Sequence, residues 1–252
     1  MFSLCIATMD RFDTFLYKNL PQYLAIDLID EIVISDENGN DVAKIREAFP
    51  NHPKLRLFVN ETRQGPLLNK LRACSHARNE WIALLDSDNF AGADYFAAAK
   101  DYIDRALVKS HKKTAILAPI KSRPRFDFTY LSCLTYRRGE FYKNHQFERT
   151  HPVESGQSPG ITLMNTGNFV INKYLMENVD LTREKNLEWS SCCDVIYLNT
   201  LFFEQLDAHL HVVPGMEYDH ALHDGSIYLQ TYQQFEYKMF ADETHRRYFA
   251  LP

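Results

Sequence analysis

The apolar run at residues 81–85, Trp-Ile-Ala-Leu-Leu, ends abruptly on two aspartates, Asp86 and Asp88. An apolar run without alternation is typical of a strand that is covered on both faces, as the parallel strands of α/β proteins are. Such folds bind ligands at the carboxyl ends of their strands. We therefore predict a buried strand that delivers carboxylates to a cleft. The alternative is an ordinary turn at the end of a strand, because Asp and Asn favour turns.

Predicted strands and helices alternate along the first half of the chain. Strands are predicted at 2–7, 31–35, 55–59 and 81–86, and helices at about 12–20, 42–49, 67–78 and 93–108. The first helix is expected to end before Pro21, because proline disfavours the helical conformation of the residue before it. Repeated alternation implies right-handed crossovers and a mostly parallel central sheet flanked by helices. The predicted fold class is α/β.

The second half of the chain is predicted to be less regular, within a single domain over 1–252. Its expected elements are a strand at 114–118 ended by Pro119, an irregular segment at 121–160, a strand at 167–171, a helix at 187–206, a strand at 210–213 closed by Pro214 and Gly215, and a helical tail from Tyr228. The aromatic residues Tyr232, Phe235 and Phe240 of this tail are expected to pack back on the domain.

Charge and cysteine content limit the compartment and the partners. The chain has 28 basic and 33 acidic residues, a formal net charge of −5, so it has no global attraction to nucleic acid or anionic membranes. Its five cysteines are odd in number and lack CxxC spacing, which argues against a disulfide framework or a zinc site. The apolar start is short and lacks a basic leader, so neither a signal peptide nor a transmembrane segment is expected. We predict a cytoplasmic protein, with peripheral association with a membrane as an open alternative.

Several segments follow one another in an order that is typical of a known family. The strand and loop at 5–11 (Cys-Ile-Ala-Thr-Met-Asp-Arg) precede a strand that ends in Asp36, a basic segment from Gly65, and the Asp-Ser-Asp at 86–88. Weaker matches follow at 166–171, 192–196 and 212–220. In order and spacing the chain resembles the inverting GT-A glycosyltransferases, particularly those of family two. Two departures are Lys70-Leu71, where the family usually has Arg-Asn, and Cys193, where it has Glu.

The resemblance implies a GT-A fold, with a nucleotide-sugar-binding half at 1–118 and an acceptor-side half with a C-terminal tail at 119–252. It implies transfer of a sugar from a nucleotide-diphosphate sugar to a hydroxyl acceptor, expected to be a glycan. The residues expected to contact the donor are Thr8, Asp10, Arg11, Asp36, Arg63, Lys70, Asp86, Ser87 and Asp88. Asp36 is assigned to the nucleotide base, whereas Lys70 and Arg63 are cations that suit a diphosphate.

The expected cofactor is Mn²⁺ or Mg²⁺, because carboxylate oxygens suit these cations and the cations also hold substrate phosphates. Asp88 is the expected direct ligand, and Asp86 supports it or contacts the sugar. The resemblance adds His220, which would favour Mn²⁺ over Mg²⁺. His223 is the alternative ligand, and an exposed loop histidine without a role is the third interpretation.

On the acceptor side, the resemblance assigns Asp194 as the general base, with Glu188 in reserve. Gly167, Asn168 and Trp189 are expected to line the same side. Asp194 could instead be an exposed helical carboxylate. Two other functions stay open: a sugar-phosphate nucleotidyltransferase, which would need a glycine-rich loop after the first strand, and a nucleotide-sugar-binding module that has lost turnover.

Overall fold

The computed structural model describes residues 1–137, 163–164 and 168–249, and nine strands in these residues form one sheet. The strands are β1 (Phe2–Thr8), β2 (Ile29–Asp36), β3 (Leu55–Val59), β4 (Trp81–Asp86), β5 (Ala115–Arg123), β6 (Phe126–Asp127), β7 (Thr135–Tyr136), β8 (Phe169–Asn172) and β9 (His209–Asp219). Their spatial order is β3-β2-β1-β4-β8-β5-β9-β7, and β6 pairs with β5.

The first four strands form a parallel half-sheet whose carboxyl ends meet at one edge. β1 pairs in parallel with β2 and β4, and β2 pairs in parallel with β3. Thr8 lies opposite Asp36, and Ala7 lies opposite Asp86. The predicted α/β class is confirmed, and the strand ends that were expected to carry polar groups are neighbours.

Beyond β4 the sheet is mixed. β8 is antiparallel to both β4 and β5, β9 is parallel to β5, and β7 is antiparallel to β9. This second half brings the carboxyl end of β9 beside β4, because Phe90 and Asp219 form an antiparallel bridge. The chain after Asp219 therefore begins next to the Asp86–Asp88 turn.

The α-helices are α1 (Tyr17–Leu24), α2 (Asn40–Ala48), α3 (Pro66–Ser75), α4 (Ala93–Asp101), α5 (Lys173–Asn178), α6 (Asp194–Leu206), α7 (Ile227–Thr231) and α8 (Phe235–Phe249). Two π-helical turns (Phe12–Leu16, Tyr102–Ala106) and three 3₁₀ helices (Lys109–Thr114, Thr129–Leu131, Leu187–Cys192) complete the described elements. Among the described residues, every helix is too short or too polar to cross a lipid bilayer.

The core is built around β4 and α6. Ile82, Ala83 and Leu84 of β4 are completely buried, as the uninterrupted apolar run predicts. Every residue of α6 from 194 to 203 is buried, so this helix lies inside the protein instead of on its surface. Its first residue, Asp194, is therefore a buried carboxylate and not the exposed helical residue of the alternative interpretation.

Three prolines were expected to end elements, and these predictions are wrong. α1 continues through Pro21, because burial of Leu20 and Tyr23 on the core holds the next turn in place. β5 continues through Pro119. β9 continues through Pro214 and Gly215 because a bulge accommodates them: residues 214–216 lie opposite the single residue Ile120.

Two further expectations need correction. The helix expected at 187–206 is interrupted at Cys193, where a 3₁₀ helix ends and α6 begins. In the C-terminal tail, Phe240 is buried as expected, but Tyr232 and Phe235 are 41% and 70% exposed. The tail therefore packs through one face only and leaves aromatic side chains uncovered.

Three histidines pack together at the amino end of β9, on the far side of the sheet from the Asp86–Asp88 turn. The His111 and His209 rings stack 3.9 Å apart, and the His211 ring centroid lies 5.9 Å from that of His111. Tyr102 Oη and Thr135 Oγ1 lie 3.1 and 3.0 Å from His211 Nδ1. Burial, with the charges of His111, His209 and Arg137, lowers the pKa of His211 to about 3.

His211→Gln should flatten the dependence of stability on pH. Folded His211 stays neutral down to about pH 3, whereas the unfolded chain binds this proton near pH ~6.5. Between these values the unfolded state binds more protons, so the free energy of unfolding falls as the pH falls, by about 1.4 kcal/mol per pH unit from this group. Urea unfolding at pH 5, 6 and 8 measures the slope, and equal slopes for wild type and variant would contradict the assignment.

Candidate active site

A cavity of about 510 Å³ opens where the carboxyl ends of β1, β2 and β4 meet the chain that follows β9. Its wall carries both acidic and basic side chains, and the C-terminal tail contributes to it. The residues that line it include Thr8, Arg11, Glu37, Arg63, Lys70, Asp86, Ser87, Asp88, Arg125, Cys192, Asp194, Tyr218, His220, Tyr228 and Tyr232.

At the centre of this wall, the Lys70 ammonium bridges two carboxylates. Lys70 Nζ lies 2.8 Å from Asp86 Oδ1 and 2.6 Å from Asp194 Oδ2, and its side chain is only 9% exposed. Burial by itself lowers the pKa of Lys70, but the two carboxylates outweigh it and hold this pKa above its ordinary value. Burial also raises the pKa of Asp194, and the charge of Lys70 opposes that rise. Lys70 therefore remains charged, and its charge stabilises the buried Asp194 and the partly buried Asp86.

Asp86 is held in place by Asn168. The Asp86 backbone N–H donates to Asn168 Oδ1 at 2.9 Å, and Asn168 Nδ2 donates to Asp86 Oδ2 at 3.4 Å. Tyr95 Oη donates to the Asn168 carbonyl at 2.8 Å. Asn168, which was expected on the acceptor side, therefore holds the backbone and the carboxylate of Asp86 in position.

The imidazole that contacts Asp88 belongs to His223. His223 Nε2 lies 3.0 Å from Asp88 Oδ2, and the His223 ring packs against Phe15 with its centroid 4.9 Å away. His220 lines the same cavity, but its Nδ1 is buried without a hydrogen-bond partner among the described residues, and burial lowers its pKa. The geometry thus brings the alternative ligand of the sequence analysis, His223, to Asp88.

A divalent cation finds a partial set of ligands at this point. Within the described part of the chain, no three His, Cys, Asp or Glu side chains form a ready-made metal site. Asp88 could supply an oxygen and His223 a nitrogen, a combination that suits Mn²⁺. A substrate diphosphate commonly supplies further oxygens to such cations. The residues therefore fit a cation that binds together with a diphosphate.

The loop after β1 is organised by Asp41, which the sequence analysis did not single out. Thr8 Oγ1 and the backbone N–H groups of Arg11 and Phe12 all donate to the Asp41 carboxylate. Nothing local in the sequence marks Asp41, because its partners lie about 30 residues away in the chain. Arg11 in turn reaches across the cavity, where its Nη2 donates to the Gly225 carbonyl at 2.5 Å.

Asp36 and Glu37 have different surroundings although they are adjacent. Asp36 is completely buried, and its carboxylate accepts the backbone N–H groups of Asn38 and Val42 at 3.2 and 2.9 Å, which anchors the start of α2. It does not line the cavity, and its expected contact with a nucleotide base stays untested. Glu37 does line the cavity; its Oε2 accepts the Gln64 N–H at 2.7 Å, and its Oε1 is buried without a partner among the described residues.

The other expected site residues divide into two groups. Arg63 and Ser87 line the cavity, and their contact with a donor stays a prediction. Asp10 does not, because its exposed carboxylate accepts the side-chain amides of Asn40 and Asn38, which lower its pKa. Glu188 and Trp189 do not line it either, and Gly167 lies outside the described residues. The backbone of Glu188 passes so close to Gly65 that a Cβ on Gly65 would lie 2.7 Å from the Glu188 carbonyl oxygen.

Lys70→Met should destabilise the folded protein by about 3 kcal/mol near neutral pH, because it leaves the buried Asp194 and the partly buried Asp86 without a countercharge. Urea unfolding measures the loss. Lys44→Met is the matched control, since Lys44 pairs with Asp13 on the surface, where ion pairs contribute little. Equal losses for the two variants would show that the Lys70 bridge is not a buried interaction of this strength.

Comparisons with known proteins identify the family and the fold of the chain. Residues 3–161 match the family model described as glycosyl transferase family 2. No curated protein sequence matches the chain significantly. The likenesses to solved structures that follow are below 25% identity, so they show the fold alone.

The chain superposes on S. aureus TarS 1–349 in complex with UDP-GlcNAc with a TM-score of 0.69 at 14% identity, covering 99% of this chain and 67% of that one. For TarS 1–349 without a named ligand the TM-score is 0.62 at 18% identity, covering 86% of this chain and 59% of that one. For GalNAc-T7 with UDP, GalNAc and Mn²⁺ the TM-score is 0.58 at 14% identity, covering 87% of this chain and 43% of that one. The chain thus spans only part of the length of these structures. Because the family model matches more than half of its residues, the chain belongs to glycosyl transferase family 2 and has the GT-A fold.

Proposed function

We propose that this protein is a metal-dependent glycosyltransferase that moves a sugar from a nucleotide-diphosphate sugar to a hydroxyl group, on a glycan acceptor. The observation that carries the proposal is the Lys70 bridge, which holds Asp86 and Asp194 together on the wall of a cavity next to Asp88. Family membership supports the class of reaction. Asp86 and Asp194 come from different elements, the end of β4 and the start of α6, which supports a separate role for each.

The donor diphosphate would lie between Asp88 and the basic residues Arg11 and Arg63. Asp88 and His223 would hold Mn²⁺ or Mg²⁺, and a bound cation would neutralise the charge that develops on the leaving diphosphate. Arg11 and Arg63 offer guanidinium groups that suit phosphate oxygens. Lys70 contributes less directly, because two carboxylates already occupy its ammonium group.

We assign the contact with the nucleotide base to Glu37, because Glu37 lines the cavity and Asp36 does not. A carboxylate there can accept a hydrogen bond from an imide or amide N–H of a base. Uracil and guanine carry such an N–H on their ring, whereas cytosine presents an acceptor nitrogen at the equivalent position. Cytosine would place this acceptor nitrogen against the carboxylate, so Glu37 would disfavour a cytosine nucleotide.

Asp194 would act as the general base. It would take the proton of the acceptor hydroxyl while that oxygen forms a bond to the anomeric carbon and the bond from this carbon to the diphosphate breaks. Burial raises the pKa of Asp194, and a raised pKa brings a carboxylate closer to the basicity that suits proton transfer near neutral pH. Its position at the first residue of α6, on a buried helix, keeps this carboxylate in a fixed place.

The state of the cysteines supports a location in a reducing compartment such as the cytoplasm. All five are free thiols, and Cys5, Cys74 and Cys193 are buried. Burial raises the pKa of Cys193 to about 12, so its thiol is inert near neutral pH.

UDP and GDP, together with Mn²⁺, should raise the melting temperature of the wild-type protein more than CDP does. UDP deserves the first trial because TarS and GalNAc-T7 were both solved with uridine nucleotides. Asp88→Asn should abolish the Mn²⁺-dependent part of this stabilisation and leave the melting temperature of the unliganded protein nearly unchanged. Thermal-shift measurements with and without Mn²⁺ test both points, and equal stabilisation of variant and wild type would remove Asp88 from the metal site.

The two histidines serve as mutual controls in the same assay. His223→Ala should weaken Mn²⁺-dependent stabilisation by UDP, because His223 contacts Asp88. His220→Ala should change it less. The reverse order would assign the ligand role to His220, and an effect of neither substitution would exclude this pair of histidines from the metal site.

Asp194→Asn should lower the rate of sugar transfer by roughly 10²–10⁴-fold, because general-base assistance is typically of that size. Donor affinity should stay within about twofold, since the base acts only on the acceptor. Turnover of a UDP-sugar and calorimetric titration with UDP measure the two quantities. A parallel fall of affinity and rate would make Asp194 a donor contact. No turnover by the wild-type protein, despite UDP binding, would favour a binding module over an enzyme.

A further inference from the structure

Two tyrosines of the C-terminal tail form an uncovered aromatic pair on the cavity wall. The rings of Tyr228 and Tyr232 stack with their centroids 5.4 Å apart and an interplanar angle of 19°. Both side chains line the cavity and yet remain 44% and 41% exposed. Single exposed apolar residues are ordinary on protein surfaces. A stacked aromatic pair inside a concave site, in contrast, indicates a ligand-binding surface.

The pair is attached to the same wall as Asp194. Helices α7 and α8 pack on the 3₁₀ helix Leu187–Cys192, which leads into α6 and Asp194. Ser191 Oγ lies 2.5 Å from Thr231 Oγ1, and Cys193 Sγ donates to Thr244 Oγ1 at 3.2 Å. Thr231 directly precedes Tyr232 in the chain. The position of the aromatic pair is therefore coupled to the element that carries the proposed base.

We propose that Tyr228 and Tyr232 form the platform that binds the pyranose ring of the acceptor, a role that rests on the proposed function. A pyranose has an apolar face of C–H groups and a polar rim of hydroxyl groups. The outer face of the stacked pair matches the apolar face of the sugar. The base acts on the acceptor, so a sugar-binding surface in the same cavity as Asp194, held by the element that leads into it, suits the acceptor better than the nucleotide.

The platform has a built-in internal control. Leu229 lies between the two tyrosines on the same short helix and is 49% exposed, but it does not line the cavity. Tyr232 Oη accepts a hydrogen bond from Gln233 Nε2 at 2.8 Å, so Tyr232→Phe removes this bond and keeps the ring. Alanine and phenylalanine variants therefore separate loss of the aromatic face from loss of the hydroxyl.

Binding of simple glycosides tests the platform. The probes are the methyl glycopyranosides of glucose, galactose, N-acetylglucosamine and N-acetylgalactosamine, observed by saturation-transfer NMR on the full chain with UDP and Mg²⁺. We expect at least one of them to bind the wild-type protein. Tyr228→Ala and Tyr232→Ala should weaken its binding by roughly five- to tenfold. The phenylalanine variants and Leu229→Ala should stay within about twofold of wild type, and UDP affinity should not change in any variant.

Three results would overturn the inference. One is the absence of glycoside binding to a wild-type protein that binds UDP. Another is unchanged glycoside binding in both alanine variants. The third is a fall in UDP affinity in these variants with glycoside binding intact, which would assign the pair to stacking on the nucleotide base. Continued hydrolysis of a UDP-sugar by the wild-type protein would keep the proposed function in each case, whereas failure of UDP to bind would refute both.

Discussion

The structure of the active site depends on one buried ammonium group. Lys70 comes from α3, Asp86 from the end of β4 and Asp194 from the start of α6, and the three charges meet within 2.8 Å. A buried charge without a partner is strongly destabilising, so the two helices and the strand must pack together for any of the three residues to be tolerated. Because both carboxylates contact the same ammonium group, Lys70 also limits the distance between Asp86 and Asp194, the proposed base.

The rest of the site is arranged around this bridge by backbone contacts. Parallel pairing brings the ends of β1, β2 and β4 to one edge, and Asp41 fixes the loop after β1 through three hydrogen bonds. Gly65 lets the chain before α3 touch the backbone of Glu188, which no residue with a Cβ could do without a shift. The β-bridge between Phe90 and Asp219 brings the chain after β9 to the Asp86–Asp88 turn, where His223 contacts the Asp88 carboxylate. Helices and a strand therefore position Lys70, Asp86 and Asp194, whereas Asp88 and His223 lie in the loops that follow β4 and β9.

Sequence patterns predicted much of this fold and site. The apolar run before Asp86 correctly predicted a buried strand, and the strand-helix alternation correctly predicted the α/β class. Both rest on local periodicity, which survives in any tertiary context. The three proline predictions failed for the opposite reason: Pro21, Pro119 and Pro214 are tolerated because packing and a bulge compensate for the missing backbone donor. The exposed tyrosines of the tail were missed because aromatic residues usually indicate core.

The sequence by itself determined which chemical groups the site contains: carboxylates after a buried strand, basic residues before it, and histidines after β9. The tertiary structure decided which of them meet. Glu37 lines the cavity and Asp36 does not, because the Asp36 carboxylate accepts hydrogen bonds from the backbone at the start of α2. His223, and not His220, contacts Asp88. Lys70 contacts Asp194, although 124 positions of the chain separate them. Such pairings depend on distances and directions between elements, and a one-dimensional pattern carries no information about either.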